Sequence, residues 1–161
     1  MARLAAVQER RATFRETRRF AALDQPLESV GRLTYRRPGY IEKETSWPEQ
    51  ERLVMDGDRL VLTMGNEPPR VVDLAAQPEL RTLVEAIRGP LAGDLAALRR
   101  VFIVRAEGTV EAWRLDLTPV DPRAGRLLRR VAITGAGADV QEVLLVQANG
   151  DEQRMTISAT P

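Results

Sequence analysis

Leu53-Val54-Met55-Asp56-Gly57-Asp58-Arg59-Leu60-Val61-Leu62-Thr63-Met64 decides the class of fold. Two short apolar runs meet at Asp-Gly, a dipeptide that tolerates the positive φ of a tight hairpin turn. The pattern predicts strands over 51–55 and 59–64. Leu60, Leu62 and Met64 fall two apart, so one face of the second strand is apolar.

The same grammar runs outward in both directions. Upstream, strand-like segments over 15–23 and 27–37 flank Asp24-Gln25-Pro26, and 40–47 comes after Pro38-Gly39. Downstream, strands are predicted over 101–106, 110–118, 128–134, 140–147 and 153–158, separated by turn residues at Glu107-Gly108, Pro119 to Gly125, Gly135 to Gly137 and Asn149-Gly150. Three segments change period. Residues 2–14 place Leu4, Val7 and Phe14 near one helical face. Over 77–88, Leu80, Leu83, Val84 and Ile87 share a stripe, and Gly89-Pro90 is expected to stop that helix. A second helix is expected over 91–100, carrying Leu91, Leu95 and Leu98. Residues 65–72, with Pro68-Pro69, read as a mobile connection.

Strand parity gives one apolar face per strand. Leu33, Tyr35 and Arg37 share a face, as do Ile41, Lys43, Thr45 and Trp47, and likewise Trp113, Leu115 and Leu117. Val143 with Leu145, and Met155 with Ile157, continue the pattern. The expected fold is therefore mainly β within the α+β class: one curved antiparallel sheet of about eleven strands, with an N-terminal helix and a central helical lid over its concave side. Residues 1–161 are expected to form a single domain. Periodicity does not distinguish a filled core from a hollow one.

Composition narrows the chemistry. The 161 residues contain no histidine and no cysteine. The commonest general base and the commonest zinc ligands are thus missing, and no Ser-His-Asp arrangement, disulfide or catalytic thiol is available. No metal and no cofactor are expected. Lys43 is the only lysine among 24 basic residues, set against 23 acidic ones for a net charge of +1. That balance gives no long-range attraction to nucleic acid. Five arginine pairs, including Arg36-Arg37 and Arg129-Arg130, lack an accompanying aromatic stacking platform, so no nucleic-acid partner is expected. Asp56, Asp58, Asp116 and Asp121, near strand ends, are the carboxylates an enzyme would use, but Asp56 and Asp58 flank Gly57 in a hairpin turn and Asp121 precedes Pro122, settings that favour aspartate for local reasons. The chain is expected not to be an enzyme. No apolar run approaches the roughly 18 residues that span a bilayer, and no secretory leader is read after Met1.

The stretch Gly31-Arg32-Leu33-Thr34-Tyr35-Arg36-Arg37-Pro38-Gly39-Tyr40 resembles the G-x-L-x-x-x-R-P-x-x-F/Y signature of LolA-type outer-membrane lipoprotein carriers. Pro48 stands at the family's spacing. Leu53 to Gly57 is similar to its V/L-x-x-D-G hairpin, Trp113 to Pro119 to its L-x-P strand end, and Val140 to Ile157 to its closing hairpin. The likeness spans Phe14 to Ser158.

The resemblance implies an unclosed β-barrel of the LolA/LolB type with a helical lid. It implies a periplasmic monomer that ferries acylated lipoproteins or lipids from an inner-membrane donor to an outer-membrane acceptor, its leader already removed. The arginine of the R-P motif would latch the lid, a role that falls on Arg37. The cavity would be lined by Leu33, Tyr35, Ile41, Trp47, Leu53, Met55, Leu60, Leu62, Met64, Trp113, Leu115 and Leu117. The lid would present Leu80, Leu83, Val84, Ile87, Leu91, Leu95 and Leu98. The chain is poorer in aromatic residues than the family's better-known members and carries the additional leucine-rich stretch over 91–100. Those departures open the cargo to a lipid other than a lipoprotein. Related folds also serve as lipid-sensing envelope adaptors, and the receptor of the same fold is anchored by an N-terminal cysteine, so that reading would require the anchor to have been removed from this sequence.

Overall fold

A computed structural model describes residues 8–160. Eleven strands form one sheet: β1 (Glu9–Arg19), β2 (Leu27–Arg36), β3 (Tyr40–Trp47), β4 (Glu51–Asp56), β5 (Arg59–Met64), β6 (Arg70–Asp73), β7 (Phe102–Gly108), β8 (Trp113–Pro119), β9 (Leu128–Ala136), β10 (Asp139–Gln147) and β11 (Glu152–Ala159). Their order is β6-β5-β4-β3-β2-β1-β11-β10-β9-β8-β7, and every neighbouring pair is antiparallel. β6 and β7 are the two edges, so the barrel is not closed. The helices are α1 (Pro78–Ala92), α2 (Leu95–Val101) and the short α3 (Pro122–Gly125), with a 3-10 turn over Leu74–Ala76.

The decisive hairpin forms as its sequence dictates. Asp56 pairs with Arg59, leaving Gly57-Asp58 as the loop, and Gly57 takes φ 58°. That left-handed conformation suits a residue without Cβ.

Four expectations are corrected. First, the helix expected over 2–14 is not formed over 9–14; residues 1–7 lie outside the described residues. Residues 9–19 instead form β1, hydrogen-bonded to both β2 and β11. Phe14 and Glu16 are buried while Thr13 and Arg15 point away, a period of two. Pairing on both sides outweighs any helical tendency of the segment.

Second, Gly89-Pro90 does not stop α1. Proline lacks an N–H and costs about 3 kcal/mol in a helix interior, but Pro90 sits in the final turn. The true terminator is Gly93 at φ 68°, whose N–H reaches the Gly89 and Pro90 carbonyls. The second helix accordingly begins at Leu95 rather than residue 91, with the Asp94 carboxylate accepting from the Ala97 N–H.

Third, the segment over 65–72 is not merely a connection. Arg70–Asp73 forms β6 on β5, with Leu60 opposite Val72. Pro68-Pro69 stands just before an edge strand, where prolines are tolerated. Fourth, the stretch expected as turn between 119 and 125 contains α3, capped by Asp121.

The concave side is covered by helices. α1 lies across it and Leu91 joins two apolar clusters. One centres on Leu98, Phe102, Leu117, Val131 and Ile133; the other on Tyr35, Ile41, Met55, Leu74 and Val84. Gly89 allows α2 to close onto α1: a Cβ there would lie 2.6 Å from the Leu98 side chain.

Candidate functional site

Strand parity places the predicted lining residues unevenly. Tyr35, Ile41 and Met55 are buried beneath α1, with Leu53 and Leu60 packed against them. Leu115 and Leu117 are buried in the other cluster, with Trp113 at its border and its Nε1 donating to the Gly137 carbonyl at 3.1 Å. Leu33 joins Phe14 and Met155 nearer the centre of the sheet. Leu62 and Met64 are half-buried toward the far end of β5 and belong to none of these clusters.

Trp47 is misplaced by the simple alternation: it is 56% exposed. Gly31 pairs with Thr45, but Val30 pairs with Trp47, so β3 bulges at Ser46. One inserted residue inverts the parity of the residues after it. On the helices, Leu80, Val84, Ile87 and Leu91 face the Tyr35 cluster, and Leu83, Leu91 and Leu98 face the Leu117 cluster. Leu95 is half-buried and joins neither.

The connection from β2 to β3 touches the lid. Arg37 Nη2 donates to the carbonyl of Ala92, the last residue of α1, at 2.9 Å. Terminal helix carbonyls are unsatisfied within the helix, so a guanidinium there also meets the negative end of the helix dipole. A second tie runs the other way and was not anticipated. Arg88 of α1 donates from Nη1 to the Gly57 carbonyl in the β4–β5 hairpin at 2.6 Å and is ion-paired with Glu85. Its sequence signal was a charged residue immediately after Ile87 in an apolar stripe.

Between the sheet and Leu91 lies a recess of about 290 Å³, whose walls include Ala12, Leu33, Tyr35, Ile41, Val140 and Ile157. It lies just below the roughly 300–1,000 Å³ typical of small-ligand sites. Its polar corner is formed by Arg10 and Tyr35, directly opposite each other on β1 and β2. Arg10 Nη1 reaches Asp139 at 3.4 Å. Arg10 Nε and Nη2, and the Tyr35 hydroxyl, are buried without a hydrogen-bond partner among the described residues. Each such orphan costs on the order of 1–3 kcal/mol, and more where the group is charged. Burial pushes the Tyr35 hydroxyl pKa up, against the pull of Arg37, Arg10 and Arg88. Burial also works against the charged form of Arg10, while Asp139 supports it.

A larger recess of about 1130 Å³ lies on the opposite face. Thr13, Arg15, Arg32, Glu44, Arg52 and Thr63 on its walls have the solvent-side parity. An alkyl chain gains little from polar walls, so the smaller apolar recess is the better ligand site.

The candidate acids do not converge. Asp58 faces Arg81 at 3.6 Å, Asp116 is held by Arg114, and Asp121 caps α3. Hydrogen bonds from Arg114 hold the Asp116 carboxyl below its ordinary pKa. Among the described residues no group of three or more metal-ligating side chains comes together, and no helix is long and apolar enough to cross a membrane.

A family profile described as outer membrane lipoprotein carrier protein LolA-like matches residues 1–160. The chain belongs to this LolA-like family. No curated protein matches the LolA-like chain. Among solved structures it is similar to a LolA superfamily protein from Nitrosomonas europaea, at 12% identity, 94% and 84% coverage of the two chains and a TM-score of 0.46. It is also similar to the lipoprotein LppX of Mycobacterium tuberculosis, at 11% identity, 98% and 88% coverage and a TM-score of 0.47. Pseudomonas aeruginosa MucB, solved in complex with MucA, matches at 14% identity and a TM-score of 0.47; the match covers 97% of this LolA-like chain and 53% of the other.

Proposed function

We propose that the protein is a periplasmic carrier that shelters the acyl chains of lipoproteins or lipids between α1 and the concave sheet, and carries them from an inner-membrane donor toward an outer-membrane acceptor. Membership of the LolA-like family supports this reading. The observation that carries it is the seating of α1: an amphipathic helix tied to the sheet by Arg37 and Arg88, its apolar stripe over an apolar recess that it does not fill.

The physical task is to offset the cost of an alkyl chain in water. At about 0.8 kcal/mol per methylene, a sixteen-carbon chain is roughly 12 kcal/mol uphill outside a membrane. The closed recess is too small for such a chain, so α1 must lift. The lifted helix and the exposed sheet then offer two apolar surfaces to the ligand. The ligand favours the open state only by binding it better than the closed one. Catalysis has no part in this scheme.

The test is uptake of a fluorescent C16-acyl lipid from donor vesicles and its delivery to acceptor vesicles, with lipid extraction and native mass spectrometry of the purified protein. Wild-type protein is expected to take up and release the lipid. Leu91→Trp, which fills the recess, is expected to take up less while remaining folded. A wild-type protein that acquires no acyl lipid overturns the proposal.

A further inference from the structure

The recess under α1 has a chemically one-sided polar corner. Its buried orphans are Arg10 Nε, Arg10 Nη2 and the Tyr35 hydroxyl. All can donate a hydrogen bond, and the two guanidinium atoms can only donate. Tyr35 is 2% exposed and lines the recess together with Arg10. Asp139 occupies Arg10 Nη1 from the rim, where its own side chain is 64% exposed. It therefore orients the guanidinium without consuming its other edge. Arg37 and Arg88 add positive potential at Tyr35.

The free edge has a defined preference. Nε–H and Nη2–H of a guanidinium lie side by side and match two oxygens of a carboxylate or phosphate. Arg114 shows this pairing on the outer face, where its Nε and Nη2 meet the two Asp116 oxygens at 2.9 and 2.8 Å. Arg10 and Tyr35 both line a recess walled by Leu33, Ile41 and Leu91, and their unpaired donor atoms are buried beside it.

We infer that the recess takes an amphiphile with an anionic oxygen headgroup, carboxylate or phosphate, seated on the Nε–Nη2 edge of Arg10 and the Tyr35 hydroxyl, its alkyl chain running beneath α1 along Leu33, Ile41 and Leu91. The inference rests on the carrier reading and narrows its cargo. An acyl chain bearing only neutral ester or amide groups would leave the charged edge less well satisfied.

The test compares hexadecanoate, hexadecyl phosphate, methyl hexadecanoate and inorganic phosphate by isothermal titration and native mass spectrometry on the full chain. The two anionic amphiphiles are expected to bind about tenfold or more tighter than the methyl ester. Inorganic phosphate, which lacks the chain, is expected to bind weakly. Arg10→Met and Tyr35→Phe are each expected to lower the ratio of anionic to neutral affinity, with Arg10→Met bringing it near one. Arg10→Lys, which keeps the charge but not the paired edge, is expected to lie between wild type and Arg10→Met. Equal affinity for the methyl ester and hexadecanoate overturns the head site and leaves the carrier reading standing. Binding of neither amphiphile overturns both. Tight binding of inorganic phosphate alone identifies a free-anion site and overturns the amphiphile.

Discussion

Lys43 Nζ lies 2.7 Å from Glu16 Oε2, joining β3 to β1 across β2 on the concave side of the sheet. Glu16 is 1% exposed and also accepts from Arg18 Nε at 2.7 Å, while Lys43 lies 5.1 Å from the Phe14 ring centre. The only lysine of the chain thus has a buried structural partner. Burial alone would push the Glu16 carboxyl up; Lys43, with Arg18 and Gln153, outweighs it and holds the group below the ordinary carboxylate range. Removing one member of a buried pair strands the other charge, at a typical cost of 3–5 kcal/mol. Lys43→Met is therefore expected to lower the unfolding free energy by about 3 kcal/mol in urea titrations, and Lys43→Met with Glu16→Leu to recover most of that loss. A single variant as stable as wild type would show that the pair is not closed in solution.

The same pair predicts a direction with pH. Because the folded state holds the Glu16 pKa below its unfolded value, its contribution is present above the ordinary carboxylate range. It is lost as pH falls through the lowered folded value. Urea midpoints measured on the acid side are expected to fall less steeply in the Lys43→Met, Glu16→Leu double variant than in wild type. Parallel profiles would assign the acid sensitivity to other groups.

The Arg37–Ala92 bond bears on the lid. A hydrogen bond to a charged group is worth about 1.5–3 kcal/mol, or roughly tenfold or more in an opening equilibrium. Arg37→Leu is expected to raise amide hydrogen exchange across α1 and to take up acyl lipid, but to deliver it to acceptor vesicles several-fold more slowly. Wild-type delivery by this variant would show that the contact is not a latch.

Gly89 sets the contact between α1 and α2. Ala at this position would place Cβ 2.6 Å from the fully buried Leu98 side chain. Overpacking of this kind costs about 1–3 kcal/mol. Gly89→Ala should lower the melting temperature despite the higher helix propensity of alanine, and Leu98→Val in the same chain should restore part of the loss. A stabilised Gly89→Ala would mean that the helices separate freely.

Much of the fold was readable locally. The Asp-Gly hairpin, the two-residue alternation of Leu33-Tyr35 and Leu115-Leu117, and the helical stripe from Leu80 to Ile87 each report on neighbours only a few residues away. The first half of β1, residues 9–14, was not readable in that way. Its residues carry few apolar side chains, and its pairing partners, β2 and β11, are drawn from both ends of the chain. Trp47 failed for a related reason, since a bulge is set by the partner strand rather than by the bulged residues alone.

The site divides along the same line. Arg37 was visible in the R-P motif, whereas its partner, the Ala92 carbonyl at the end of α1, is set by the tertiary structure. Arg10, Arg88 and Glu16 are charged residues at positions whose parity or stripe is apolar, and that mismatch is the signal that marks them. Local sequence determined most of the strands and hairpin turns, most of the apolar faces, and the absence of histidine and cysteine chemistry. Only the tertiary structure decided that α1 covers the concave side, that about 290 Å³ remains beneath it, and that two residues with unpaired buried donors line that space. Periodicity states which face is apolar; how completely that face is covered depends on contacts between residues distant in the chain.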